Sequence, residues 1–173
     1  VKEVGHTFGE KVEEVLVNKL VELDSRFTAP DNKREMQDVS FNDDLINIKF
    51  GFDKKGQPNM VAFNRLSTRY LKNEIDSYYI ISIDGKTNKV TFFDLYQQLP
   101  YTNYNVGTGQ VMLKEKQFFN IFNQEKDYSL SKLTIINTLR KMKVQSHNEH
   151  VTLKEQQLKK SLELFDTTLR QYS

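Results

Sequence analysis

Cysteine is absent from the 173 residues. Disulfides, thiol catalysis and every cysteine-based zinc site are thereby excluded. No run approaches the roughly 18 apolar residues that a membrane helix needs. The first residues, VKEVGHTFGEK, hold no apolar stretch of signal-peptide length, and the expectation is a protein of the cytoplasm, bacterial in type, with no membrane partner. Net charge is also scarce: at +2 the chain is not one that coats nucleic acid by charge alone. There is no internal repeat and no low-complexity tract. Gly107-Thr108-Gly109-Gln110 lacks the Gly-Lys-Ser/Thr that a phosphate-cradling Walker loop requires, which sets nucleotide hydrolysis aside.

What is present is an ordinary globular composition, 38% hydrophobic, 12% aromatic and 28% charged, and a chain long enough to bury a core in one domain. Charge is unevenly spread. Residues 131–173 carry eight Lys or Arg against four Asp or Glu, a local +4, and residues 1–130 carry 17 against 19, a local −2. An acidic half followed by a basic tail suits an enzyme of polyanions, and suits equally a solvated helical face.

Periodicity predicts an amphipathic helix over 8–23, through Val12, Val15, Leu16, Lys19, Leu20 and Leu23, with Glu10, Glu13 and Glu14 in the first turns where the helix dipole favours anions. Residues 25–35 read as a loop. Two strands, 36–41 and 45–52, flank Asn42-Asp43-Asp44 as a hairpin. A helix is expected over 60–73. SYYIISID (77–84) and KVTFFDLY (89–96) are the clearest strands, antiparallel across Asp84–Asn88 turn chemistry. Residues 101–110 read as a loop, and helices are expected at 114–123, 131–143 and 152–171, with His147-Asn148-Glu149-His150 a polar linker and His6 uninformative. The fold class is α+β: a mixed, mostly antiparallel sheet flanked by helices, with a core over 1–128 and a helical extension over 129–173 of one domain.

A hairpin turning on Asn42 and Asp43 sets Val39 opposite Ile46 and Asp38 opposite Asn47. Facing residues share a side of the sheet, and Lys49 projects from that side two residues on. Val39, Phe41, Ile46, Ile48, Phe50 and Phe52 take the other, apolar side. Asp38, Asn47 and Lys49 thus gather in one polar patch. Phosphodiester cleavage needs such a set: oxygen ligands to hold Mg²⁺, which polarises the phosphate and lowers the pKa of an attacking water, and a lysine to stabilise the developing charge. A cross-strand Asp38–Lys49 ion pair on a solvated face is the other reading.

Asp38, eight residues, then Asn47-Ile48-Lys49 on adjoining strands resembles the PD-(D/E)XK motif of the type II restriction endonucleases. The resemblance runs over roughly residues 8 to 112. It implies a restriction-endonuclease-like core and a Mg²⁺-dependent enzyme cutting double-stranded DNA at a short specific sequence. It implies metal ligation by Asp38 and Asn47, action of Lys49 on the nucleophile, and a further acidic residue from the first helix: Glu13 first, Glu14 second. Two positions depart from the pattern. Gln37 stands where the proline should, and neutral Asn47 stands where the acid should. Pro30-Asp31 offers a rival alignment fifteen residues before Asn47. A silent DNA-binding module, or a structure-specific repair or junction nuclease on the same core, are the alternatives. DNA contacts are expected from Lys54, Lys55, Gln57 and Asn59 in the loop after the lysine strand, from Arg65 and Arg69 on one helix face, from Thr108 and Gln110, and from Arg140 and Lys141 of a candidate recognition helix. The last helix, with Leu158, Leu162, Phe165 and Leu169 on a stripe, is expected to pair with the one before it and to support a homodimer or a grip on DNA.

Overall fold

The computed structural model describes residues 2–32, 35–51, 59–85, 87–113 and 129–172. Helix α1 (Lys2–Leu23) leads to a two-residue strand β1 (Phe27–Thr28) and then to β2 (Val39–Phe41) and β3 (Asp44–Gly51). The hairpin has the expected register: Val39 faces Ile46, Ser40 faces Leu45 and Phe41 faces Asp44. Asn42 sits at φ 51, a left-handed conformation that asparagine tolerates better than most residues, which is why a two-residue turn fits here.

Strands β5 (Tyr79–Asp84) and β6 (Lys89–Asp94) pair antiparallel, as their sequences predict, and Asn88 at φ 54 closes their turn. The five-stranded sheet has the order β1-β2-β3-β5-β6, with β3 and β5 parallel and every other pair antiparallel. Helix α1 covers one face, setting Leu16, Val17 and Leu20 on Val39, Ile46 and Ile48. Its buried stripe is not the expected one, because Val15 and Leu23 are exposed. The opposite face carries the larger core, in which Leu45, Tyr78, Ile80 and Phe93 of the sheet meet Phe63, Leu66, Leu99, Ile135 and Leu139.

Strand β1 lies within the expected 25–35 loop, and three larger expectations are corrected. Residues 59–62 are not the start of a helix: Met60 and Val61 are buried in strand β4 (Asn59–Ala62), and the helix α2 is shorter, Phe63–Leu71. The supposed loop over 101–110 contains a strand, β7 (Thr102–Asn105), after a 3₁₀ turn (Tyr96–Tyr101). Together with β8 (Gln110–Leu113) and β4 it makes a second, three-stranded antiparallel sheet in the order β4-β8-β7. Gly109, at φ 69, supplies the turn conformation, and its N–H and that of Thr108 both donate to the Asn105 carbonyl. Short strands of this kind depend on partners distant in sequence, which local periodicity does not reveal.

The third correction concerns the C-terminal helices. Residues 132–172 are one helix, α3 (Lys132–Tyr172), and His147–His150 is part of it rather than a linker. No glycine or proline interrupts these residues, so no local signal stops the helix. The first half packs on the domain through Ile135, Leu139, Met142 and Ser146, all buried. Lys132 and Lys143 donate to Asn73 and Asn64 at the two ends of α2, and the Tyr104 hydroxyl meets His150 Nε2 at 2.8 Å. The expected pairing of the last two helices is therefore absent, since they are a single rod. The expected helix over 114–123 lies outside the described residues. Among the described residues no helix is long and apolar enough to cross a membrane.

Candidate active site on the open edge of strand β3

Strand β2 is too short to cover β3. Its last backbone contribution is the Asp38 N–H, which donates to the Ile46 carbonyl at 2.9 Å. Beyond that point the N–H groups of Ile48 and Phe50 still point to the same edge, and a buried N–H left unmet is costly. Two carboxylates take the place of a strand. Asp38 Oδ2 accepts from Ile48 N at 2.7 Å, and Glu13 Oε1 accepts from Phe50 N at 3.3 Å. Asp38 arrives from the hairpin and Glu13 from α1, where it is half-buried and its neighbour Glu14 is exposed.

Both carboxyls titrate above their ordinary values. Burial is the main cause for Glu13; the Lys49 ammonium and the Phe50 N–H oppose it, and the negative charges of Asp38 and Glu10 add to it. Burial is again the main cause for Asp38, opposed by the Ile48 N–H and by Lys49. Glu13, Asp38 and Lys49 therefore feel one another's charge. Asp38 spends Oδ2 on the Ile48 N–H rather than on an ion pair with Lys49. Asp31, of the rival alignment, is exposed and takes no part in this cluster.

Asn47 goes elsewhere. It is buried at 6% exposure, and its Nδ2 donates to the Met36 carbonyl at 3.4 Å, the same oxygen that accepts the Tyr78 hydroxyl. Its Oδ1 is buried with no hydrogen-bond partner. Tyr78, which the sequence reading passed over, is thus a neighbour of the site: its hydroxyl titrates well above the usual range, by burial first and then by the Asp38 charge. The parallel pairing of β3 with β5 brings it there. A tyrosine at the head of an aromatic strand gives no hint of that pairing.

Among the described residues no three His, Cys, Asp or Glu side chains gather as a metal site. Two carboxylates do gather, each with one oxygen not committed to a β3 N–H. One or two carboxylates, with water and substrate phosphate completing the shell, are what Mg²⁺ commonly takes from a protein.

The expected DNA contacts are scattered. Lys54, Lys55 and Gln57 lie outside the described residues, and Asn59 opens β4. Arg65 is exposed on α2, and Arg69 on the same helix pairs with Glu74 at 3.2 Å. Thr108 is exposed in the β7–β8 turn, and Gln110 pairs with Asn105 and Ala62 in the small sheet. Arg140 and Lys141 are exposed on the packed half of α3, the half whose Lys143 reaches Asn64 of α2. Neither a protein-family model nor a curated protein matches this sequence.

Proposed function

We propose that the chain is a Mg²⁺-dependent endodeoxyribonuclease acting on double-stranded DNA, with Glu13, Asp38 and Lys49 as its working residues. Sequence-specific cutting of the type II restriction kind follows from the motif resemblance and is part of the proposal. The observation that carries it is the convergence of two half-buried carboxylates, from separate elements, on the Ile48 and Phe50 N–H groups either side of Lys49. Partly buried carboxyls of raised pKa, clustered beside a lysine, are the kind of group a catalytic site uses.

In this reading Asp38 and Glu13 present their uncommitted oxygens to the cation, and the β3 N–H groups hold both carboxylates in place. The bound cation would polarise the scissile phosphate and acidify a water. Lys49 orients that water and stabilises the charge gathering on the phosphate. Asn47 supports the site from within, through Met36 and Tyr78. Arg65, Arg140 and Lys141 offer cations for the phosphate backbone from two neighbouring helices.

The test is incubation with plasmid and phage DNA, with Mg²⁺ or chelator, beside Lys49→Ala. Discrete metal-dependent fragments, lost in the variant, are expected. Intact DNA throughout, from protein that still retards duplex DNA in a gel, would sink the enzyme. It would favour the second reading, a DNA-binding module of this fold without cleavage. The burial of Asn47 and its hydrogen bond to Met36 speak for that module, because the motif position that should meet the metal is occupied by a neutral, inward-facing side chain.

A further inference from the structure

The far half of α3 leaves the domain. After His150, every residue up to Tyr172 is exposed except the half-buried Leu153. Yet the apolar residues there are ordered. Val144, Val151, Leu158, Phe165 and Tyr172 recur every seventh residue, and Leu162 and Leu169 fall between them at the alternating spacing of three and four. That is a heptad seam, the 3.5-residue period by which one helix recognises another. Leu158, Leu162, Phe165, Leu169 and Tyr172 are all more than half exposed, from 52% for Leu162 to 87% for Tyr172.

From this seam we infer that two copies of the chain associate through residues 155–172 of α3, running antiparallel.

The orientation follows from charge and register. In a parallel pair Glu155 would face its own copy across the seam, and Lys154 would meet Lys159 beside it, two like-charge clashes. In an antiparallel pair set so that Leu162 faces Phe165, Leu158 faces Leu169 and Glu155 faces Tyr172. The same register brings Lys159 of each copy beside Asp166 of the other, twice by symmetry. Slipping the pair one heptad towards residue 151 would place Lys159 against itself and Phe165 against Glu155. Residues 155–172 span about 27 Å at ~1.5 Å per residue, a short seam whose dimer is expected to depend on concentration. This inference stands whether or not the chain cleaves DNA.

Sedimentation equilibrium on the full chain between about 1 and 200 µM tests it. The expected result is a monomer–dimer equilibrium, monomeric at every concentration in Leu162→Glu/Phe165→Glu. These side chains are exposed, so circular dichroism should show the variant folded. Lys159→Asp alone should weaken the dimer by about fivefold to tenfold, and Lys159→Asp/Asp166→Lys should restore it. Because the chain has no cysteine, register can be read by disulfide capture. Ser161→Cys mixed with Thr168→Cys should give mixed dimers on mild oxidation, and neither variant alone should do so efficiently. A monomer at 200 µM, a dimer unaffected by Leu162→Glu/Phe165→Glu, or capture within a single-cysteine variant alone would each overturn the inference.

Discussion

Asp94, at the end of β6, and the Glu13–Asp38 pair, on the edge of β3, are carboxylates of one kind in two settings. All three accept backbone N–H groups, and burial lifts all three above their ordinary values. Asp94 Oδ1 takes two N–H groups, from Tyr78 at 3.2 Å and Tyr96 at 3.0 Å, and ties the start of β5 to the 3₁₀ turn. The charges that act on it are those of Asp76 and Asp44, both of its own sign, and it is pushed up to about 6. Glu13 and Asp38 take one β3 N–H each, leave their other oxygen uncommitted to the strand, and feel the charge of Lys49. A carboxylate satisfied by backbone with no cation at hand is a structural clamp. Two that leave oxygens open beside a lysine can do chemistry. The difference lies in what faces each group, since the residue type and the burial are shared.

Perturbing each setting should break the comparison differently. The largest effect is expected from Lys49→Ala, a loss of DNA cleavage of about 10²- to 10³-fold, the usual magnitude for removing a charge-stabilising group. Its unfolding midpoint in urea should move little, and a parallel collapse of stability would make Lys49 structural. Asp94→Ala should do the reverse, costing about 3 kcal/mol of stability by stranding two N–H groups, with cleavage per folded molecule unchanged. Next comes Glu13→Gln. It keeps an acceptor for the Phe50 N–H but removes a charge, and should raise the Mg²⁺ needed for half-maximal cleavage about tenfold; an unchanged metal requirement would remove Glu13 from the site. The smallest effect concerns pH. The folded Asp94 holds its proton to about 6, against 3.8 when unperturbed, so across that window the native state binds more protons than the unfolded one. Stability contributed by Asp94 is thus full below 3.8 and is lost as pH rises towards 6. Asp94→Asn should flatten this slope and add on the order of 1 kcal/mol at pH 7. Urea titrations at pH 4.5 and 7 would read both arms.

Much of the site was legible because the hairpin is local. Alternation of apolar and polar residues along 38–50, with Asn42 able to adopt the turn, leaves one register that buries Val39, Ile46 and Ile48 together. Asp38 and Lys49 follow from it. Glu13 came only through resemblance, since nothing in a helix's own period says which strand edge it will reach. Asn47 shared the face predicted for it but not the exposure. Whether that face is solvent or core depends on what packs there, and Met36 and Tyr78 pack there. The strands β4 and β7 escaped for a related reason, as each is four residues long and takes its identity from β8. Reading α3 as two helices gave weight to four polar residues, though polar residues without glycine or proline do not end a helix.

By itself the sequence determined the α+β class, the β2–β3 and β5–β6 hairpins, the heptad rhythm of the last helix and the exclusion of thiol chemistry. These rest on periodicity, turn conformation and composition, which act over a few residues. The tertiary structure decided the parallel pairing of β3 with β5, the second sheet, the inward turn of Asn47, and the meeting of Glu13 with Asp38 at N–H groups that β2 is too short to reach. Those are contacts between segments far apart in the chain, and their free energy appears only when the core that holds both partners has formed.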